Sequence, residues 1–188
     1  MLRDEVNKAL EILKDGGIIL YPTDTIWGIG CDATNKEAVD KIIKLKGREE
    51  NKSLIILLDS ENRLDGYVSG VPEIAYELIE YAENPLTIVF SGAKNLAENV
   101  VHHDQSVGVR IVKHPFCQQL IQKLRKPIVS TSANISGQKA PQNFSEISDA
   151  ILQGVDYVVD FEQDDLSEKK PSTIMKLEAD GRFSFIRR

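Results

Sequence analysis

Four cations fall between Lys44 and Lys52: Lys44, Lys46, Arg48 and Lys52, with Gly47 among them. Arginine grips phosphate oxygens as a planar fork and lysine as a point charge, so the cluster suits a polyphosphate. A solvated helix end, its cations set against the C-terminal dipole, explains the same composition and is the commoner case. A second polar run, STSANISG at 130–137, closes an apolar segment with hydroxyl and amide groups. Ligands of α/β proteins sit beyond such strand ends, although Ser and Asn also cap loops. Arg110 stands amid Val107, Val109, Ile111 and Val112. A charge inside an apolar strand needs a partner. A substrate carboxylate would serve, and so would a structural Asp or Glu, which is more common. Ser106 precedes Arg110 by four residues and so faces the same side of a strand. The last polar segment is YPTDTIWGIG at 21–30, which holds two threonines, an aspartate and the sole tryptophan.

These residues need elements to position them. Val6, Ala9, Leu10 and Leu13 fall at helical spacing, stopped by Gly16-Gly17. IILY at 18–21 reads as a buried strand that opens into the polar loop 22–30. Thr34 and Glu37 have the spacing of a capping box, ahead of a helix with Val39, Ile42, Ile43 and Leu45. SLIILL at 53–58 does not alternate, which suits a central strand covered on both faces. Pro72 suits the first turn of a helix carrying Ile74, Leu78, Ile79 and Ala82. Strands are expected at 86–90 and 106–112, a helix from Pro115, and a strand at 127–131. A helix around 144–152 and strands near 157–161, 172–178 and 182–187 complete the chain. The charged stretch 160–171 reads as a mobile, solvated loop. Strands that follow one another without a helix between them imply an α/β fold with a twisted mixed sheet.

The chain has 188 residues, 41% hydrophobic and 28% charged, which suits one globular domain over residues 1–188. The formal net charge of −6 weighs against a generally basic nucleic-acid binder. No signal-peptide pattern and no run of apolar residues long enough to span a bilayer is evident, so the cytoplasm is the expected location. Cys31 and Cys117 form no CxxC pair and read as structural thiols. Neither GxxxxGK[ST] nor GxGxxG occurs. Adjacent His102 and His103 point opposite ways if extended and do not suit a shared metal.

Taken together and in order, the segments resemble one family. YPTDTIWGIGCDA resembles the PTDTxYGLG signature of the YrdC/Sua5 proteins, and KLKGREENKSL their KxR segment. SVGVRIVKHP resembles their TVxVRxP strand, STSANISG their SxSANxSG loop, PSTIM a later Ser-Thr segment and FIRR the closing Arg strand. The resemblance implies a threonylcarbamoyl-AMP synthase built around a large, positively lined concave cavity. Its substrates would be ATP, L-threonine and bicarbonate or CO2. Its product would pass to the transferase machinery that installs the t6A modification of tRNA. Mg2+ would arrive with ATP, without a dedicated protein site.

By matching position, the resemblance assigns Thr25, Arg110 and Ser130 to threonine, with Arg110 on its carboxylate. It assigns Lys46, Arg48, Lys52, Ser106, Ser132, Asn134, Ser172 and Arg187 to ATP, with Arg188 as the alternative to Arg187. The sequence departs from the pattern at Trp27 (usually Tyr), Glu49 (usually Pro), Lys52-Ser53 (often Asn-Pro), Leu57 (often His) and Ala140 (often Ser). No protein nucleophile is implied. Three rival readings use the same residues. One is a non-catalytic binder of tRNA or double-stranded RNA. Another is a carbamoyl-adenylate enzyme like the related domain of hydrogenase-maturation proteins. The third is a regulatory module with a degenerate site.

Overall fold

The computed structural model describes residues 1–47 and 54–188. Its helices are α1 (Leu2–Lys14), α2 (Lys36–Leu45), α3 (Ile74–Glu80), α4 (Pro115–Leu124) and α5 (Asp149–Gly154). Its strands are β1 (Ile19–Tyr21), β2 (Gly28–Gly30), β3 (Ile55–Leu58), β4 (Leu86–Ser91), β5 (Ser106–Ile111), β6 (Ile128–Ser132), β7 (Tyr157–Val158), β8 (Thr173–Leu177) and β9 (Phe183–Arg187). They form one mixed sheet in the order β7-β1-β2-β6-β3-β5-β4-β8-β9. Pairs β1–β7, β3–β5 and β4–β8 are parallel, and the rest are antiparallel. The mixed α/β sheet expected from the sequence is the one observed.

Alternation along the strands divides the sheet into two faces. Ile56, Leu58, Ile88, Phe90, Val107, Val109, Val129, Met175 and Leu177 enter one core cluster, which α2 covers with Val39 and Ile42. Leu57, Val112 and Ile128 enter a second cluster with Val6, Ala9 and Leu13 of α1 and Phe116, Leu120 and Ile121 of α4. Helices α1 and α4 thus cover only one end of this second face. Beyond them, among the described residues, no helix covers this face, and its polar residues line a cavity.

Several local expectations give way to tertiary structure. The sequence implies that the segment after Tyr21 is all loop, yet Gly28–Gly30 form β2, paired with β1 on one side and β6 on the other. Thr34 does not cap α2. Its N–H and hydroxyl both donate to Asp32, and Asn35 is the cap, accepting from the Ala38 N–H. Pro72 lies just before α3 rather than in its first turn, and its carbonyl accepts from Ala75. Within α3 the buried residue is Ala75, while Ile74 is exposed and Ala82 lies past the helix. The helix expected at 144–152 divides into a 3-10 turn, Phe144–Glu146, and α5. The charged 160–171 segment is tied down by ions rather than only solvated. Lys169 pairs with Glu162 and Asp165, and Glu162 lies 3.2 Å from His114 Nε2.

Candidate functional site

Strand register builds the site. Across the sheet, Gly28 stands opposite Ser132, Ser130 opposite Ile55, and Ile55 opposite Gly108. One row further along, Arg110 stands opposite Thr87, Thr87 opposite Ile174, and Ile174 opposite Arg187. Residues paired in register share a face, and six of these strands, β2, β3, β5, β6, β8 and β9, bring residues to one space. That space is a cavity of about 130 Å3 lined by Thr25, Ile26, Trp27, Gly28, Ile55, Arg110, Ser130, Thr131, Ser132, Pro171, Ser172, Ile174 and Arg187.

Arg187 reaches it through an irregularity. The β8–β9 register slips between Ile174 and Met175, so that Phe185 pairs with Met175 but Arg187, not Ile186, pairs with Ile174. An uninterrupted strand would place Arg187 on the same face as Phe183 and Phe185. The bulge turns it onto the cavity face instead. There its Nε and one Nη donate to the Ser172 carbonyl at 3.1 and 2.8 Å. Burial, then the nearby Arg110 charge, lowers the Arg187 guanidinium below its ordinary range. Arg188 instead stacks 4.4 Å over the Phe185 ring. Of the two candidates, the cavity takes Arg187.

Arg110 is only 4% exposed. Its Nη2 lies 3.2 Å from Asp24 Oδ1 and donates to Thr23 Oγ1 at 3.4 Å, while its buried Nε has no partner among the described residues. The lone arginine therefore has a structural carboxylate beside it and keeps donors for the cavity. The 22–30 loop is braced locally: Thr25 N–H donates to Thr23 Oγ1, which donates to the Ile26 carbonyl. Trp27 both packs and lines. It is 2% exposed, tilts against Phe144 at 4.8 Å between centroids, and contributes to the cavity wall. Ser172 Oγ hydrogen-bonds Thr87 Oγ1 at 2.8 Å, and Pro171 carries the end of the charged segment into the same wall.

Other expected site residues are placed elsewhere. Lys46 is fully buried, and its ammonium donates to the carbonyls of Ser132 and Asn134. Its visible work is to fix the polar loop after β6. Asn134 donates to the carbonyls of Ile135 and Gln138, and its buried Oδ1 has no partner among the described residues. Ser106 shares the face of Arg110 but not the cavity. Four residues of strand separate the two by about 13 Å. The Ser106 hydroxyl donates to Asp104 and lies 3.1 Å from His102 Nδ1. Leu57 is buried in the cluster under α1 and α4, and Ala140 is half-buried. Arg48, Glu49, Lys52 and Ser53 lie outside the described residues. Burial drives both thiols above their ordinary range, as expected of structural cysteines. Among the described residues, no group of three or more His, Cys, Asp or Glu could hold a metal ion. No helix among them is long and apolar enough to cross a membrane.

Replacing Lys46 tests its structural part. Lys46→Met keeps the buried stem but leaves the two carbonyls without that donor. Unmade buried hydrogen bonds cost about 1–3 kcal/mol. Urea unfolding should show a lower midpoint at unchanged slope. An unchanged midpoint would place the ammonium outside the fold's support.

Cationic, hydroxyl and aromatic side chains thus converge on a cavity at the ends of β2, β5, β6, β8 and β9, with no thiol or histidine nucleophile among its lining residues. The family model described as Telomere recombination, covering Sua5, YciO and YrdC, matches residues 11–188. A threonylcarbamoyl-AMP synthase of Pseudoalteromonas translucida is 34% identical over 155 residues, 81% of this chain and 83% of that one. A putative threonylcarbamoyl-AMP synthase of Methanocaldococcus jannaschii is 37% identical over 182 residues, 94% of this chain and 84% of that one. Escherichia coli YciO superposes with a TM-score of 0.85 at 25% identity, over 100% of this chain and 90% of that one. Sua5 of P. abyssi, solved in complex with L-threonine, superposes with a TM-score of 0.81 at 26% identity. The match covers 92% of this chain but only 50% of that longer one. With the family model matching residues 11–188 and relatives 34% and 37% identical over most of both chains, the chain belongs to the Sua5/YciO/YrdC family.

Proposed function

We propose that the cavity binds L-threonine beside ATP and that the protein is an L-threonylcarbamoyladenylate synthase. The observation that carries this is the pair of arginines, Arg110 and Arg187, lining one cavity with the hydroxyls of Thr25, Ser130 and Ser132. A buried guanidinium with unused donors suits a small carboxylate. A second guanidinium at the rim suits a phosphate. The names of the relatives and the threonine complex of P. abyssi Sua5 support the same chemistry.

In this reading the threonine amine attacks CO2, giving a carbamate. A carbamate oxygen then attacks the α-phosphorus of ATP and pyrophosphate leaves; starting from bicarbonate, one water is also released. Arg110 and Ser130 would orient threonine, with Thr25 beside them. Arg187, Ser132, Ser172 and Asn134 would face the nucleotide, joined by Arg48 and Lys52 from the segment outside the described residues. Lys46 would serve through the loop it fixes. Ser106 would need a different ligand geometry from that of the cavity. Mg2+ bound to the phosphates would offset their charge. The protein's contribution is alignment and charge stabilisation in a walled site that shelters the carbamate and the mixed anhydride from water. The product would feed t6A formation on tRNA.

The test is direct. The protein is incubated with ATP, threonine and bicarbonate, and threonylcarbamoyl-AMP is sought by mass spectrometry. An adduct that requires all three substrates is the expected result. Pyrophosphate released without threonine and without adduct would overturn the proposal. A salt-sensitive tRNA complex with no pyrophosphate would favour the RNA-binding alternative.

A further inference from the structure

Asp24 belongs to the PTDT loop but not to the cavity lining. Its Oδ2 accepts the Lys113 N–H at 3.0 Å, which ties the loop to the segment just after β5. Its Oδ1 lies 3.2 Å from Arg110 Nη2, yet the two are not aligned as a hydrogen bond. The contact is one of charge, and the Nη2 hydrogen bond goes instead to Thr23, while Nε has no partner among the described residues. Thr23 Oγ1 approaches the same Nη2 at 3.4 Å. On its other side Asp24 opens on a separate small cavity of about 90 Å3, with Pro85, Ile111 and Lys113 in its wall. The carboxylate therefore stands behind Arg110 and keeps a wet edge facing away from the first cavity.

We infer that Asp24 is a positioning residue for threonine binding, which holds the Arg110 guanidinium so that its free donors face the cavity. The inference rests on the reading that Arg110 takes the threonine carboxylate. An arginine has a long side chain whose rotamer freedom is lost when it binds. Here that loss is met in folding, because Nη2 is held by the Asp24 charge and by its hydrogen bond to Thr23 Oγ1, while the guanidinium still lines the cavity. A substrate carboxylate facing Arg110 from the cavity would complete the hydrogen bonds that Asp24 leaves open.

Asp24→Asn separates this role from loop support, because the amide oxygen can still accept from Lys113. The expected result is a rise of about tenfold in the threonine KM, with the ATP KM and kcat each within about threefold of the parent. If Asp24 served only as a counter-charge for folding, both KM values would move together or neither would. Either outcome overturns the inference.

A cycle with Arg110→Lys then distinguishes this inference from the reading beneath it. If Asp24 acts through the guanidinium, Asp24→Asn adds little to the Arg110→Lys variant. A full tenfold addition in that background overturns the positioning role. An Arg110→Lys variant with an unchanged threonine KM would instead overturn the reading of Arg110 itself. Should Asp24→Asn not fold, Asp24→Glu, which keeps the charge but displaces it, is judged by the same two KM values.

Discussion

Arg110→Ala is expected to raise the threonine KM about a hundredfold, roughly 2.7 kcal/mol, while the ATP KM changes by less than about threefold. The magnitude follows from burial. Removing one partner of a desolvated charge pair costs more than the pair itself contributes, because the other charge is left exposed to an apolar wall. The selectivity follows from position: Arg110 sits on β5 in the row that runs through Thr87 and Ile174, whereas Arg187 occupies the far end of that row. The truncation also strips Asp24 of its cation, so some loss of stability is expected and a melting curve must accompany the kinetics. Arg110→Lys should fall between, since an ammonium restores charge but not the fork. Steady-state pyrophosphate release at varied threonine and fixed saturating ATP measures the effect. Equal shifts in the two KM values would show that Arg110 supports the fold rather than the amino acid.

Arg110 is legible in the sequence because a charge amid Val and Ile on a strand must be answered by something. What answers it is not legible. Asp24 reaches Arg110 only because Lys113, just past β5, holds the β1–β2 loop, an arrangement set by long-range contact and not by local pattern. The cation cluster is legible as a cluster, but its chemistry is not. The ammonium of Lys46 is used on carbonyls at Ser132 and Asn134, 86 and 88 residues away in the chain. Sequence spacing correctly assigns Ser106 to the face of Arg110, yet a shared face does not mean a shared end of the strand. The choice between Arg187 and Arg188 depends on one extra residue in the β8–β9 ladder, and a bulge of that kind leaves no mark in composition. Strand β2 escapes notice for a related reason. Gly-Ile-Gly has poor strand propensity, and pairing on both edges overrides it.

The two glycines of β2 predict opposite kinds of damage. Neither has a positive φ, so the argument concerns space and not backbone freedom. A Cβ on Gly30 would meet the Val129 carbonyl oxygen at 2.3 Å and Tyr21 Cε1 at 2.7 Å. The carbonyl is part of β6 and cannot withdraw. The Tyr21 ring is fully buried, with its hydroxyl donating to that same carbonyl at 3.1 Å. Gly30→Ala must therefore move a strand or expel the Tyr21 ring from its buried place. Overpacking and a lost buried hydrogen bond together amount to about 3–5 kcal/mol, or roughly 10 °C in Tm for a chain of this size. A Cβ on Gly28 would meet Ser130 Oγ at 3.1 Å, a hydroxyl that can rotate. Gly28→Ala should then cost about 1 kcal/mol or less in stability. Its effect should fall on threonine, through the displaced Ser130 hydroxyl, as a rise of several-fold in KM. Calorimetry and kinetics on the pair decide the matter. Similar Tm losses in the two variants would mean that the Tyr21–Val129 contact is not what restricts position 30 to glycine.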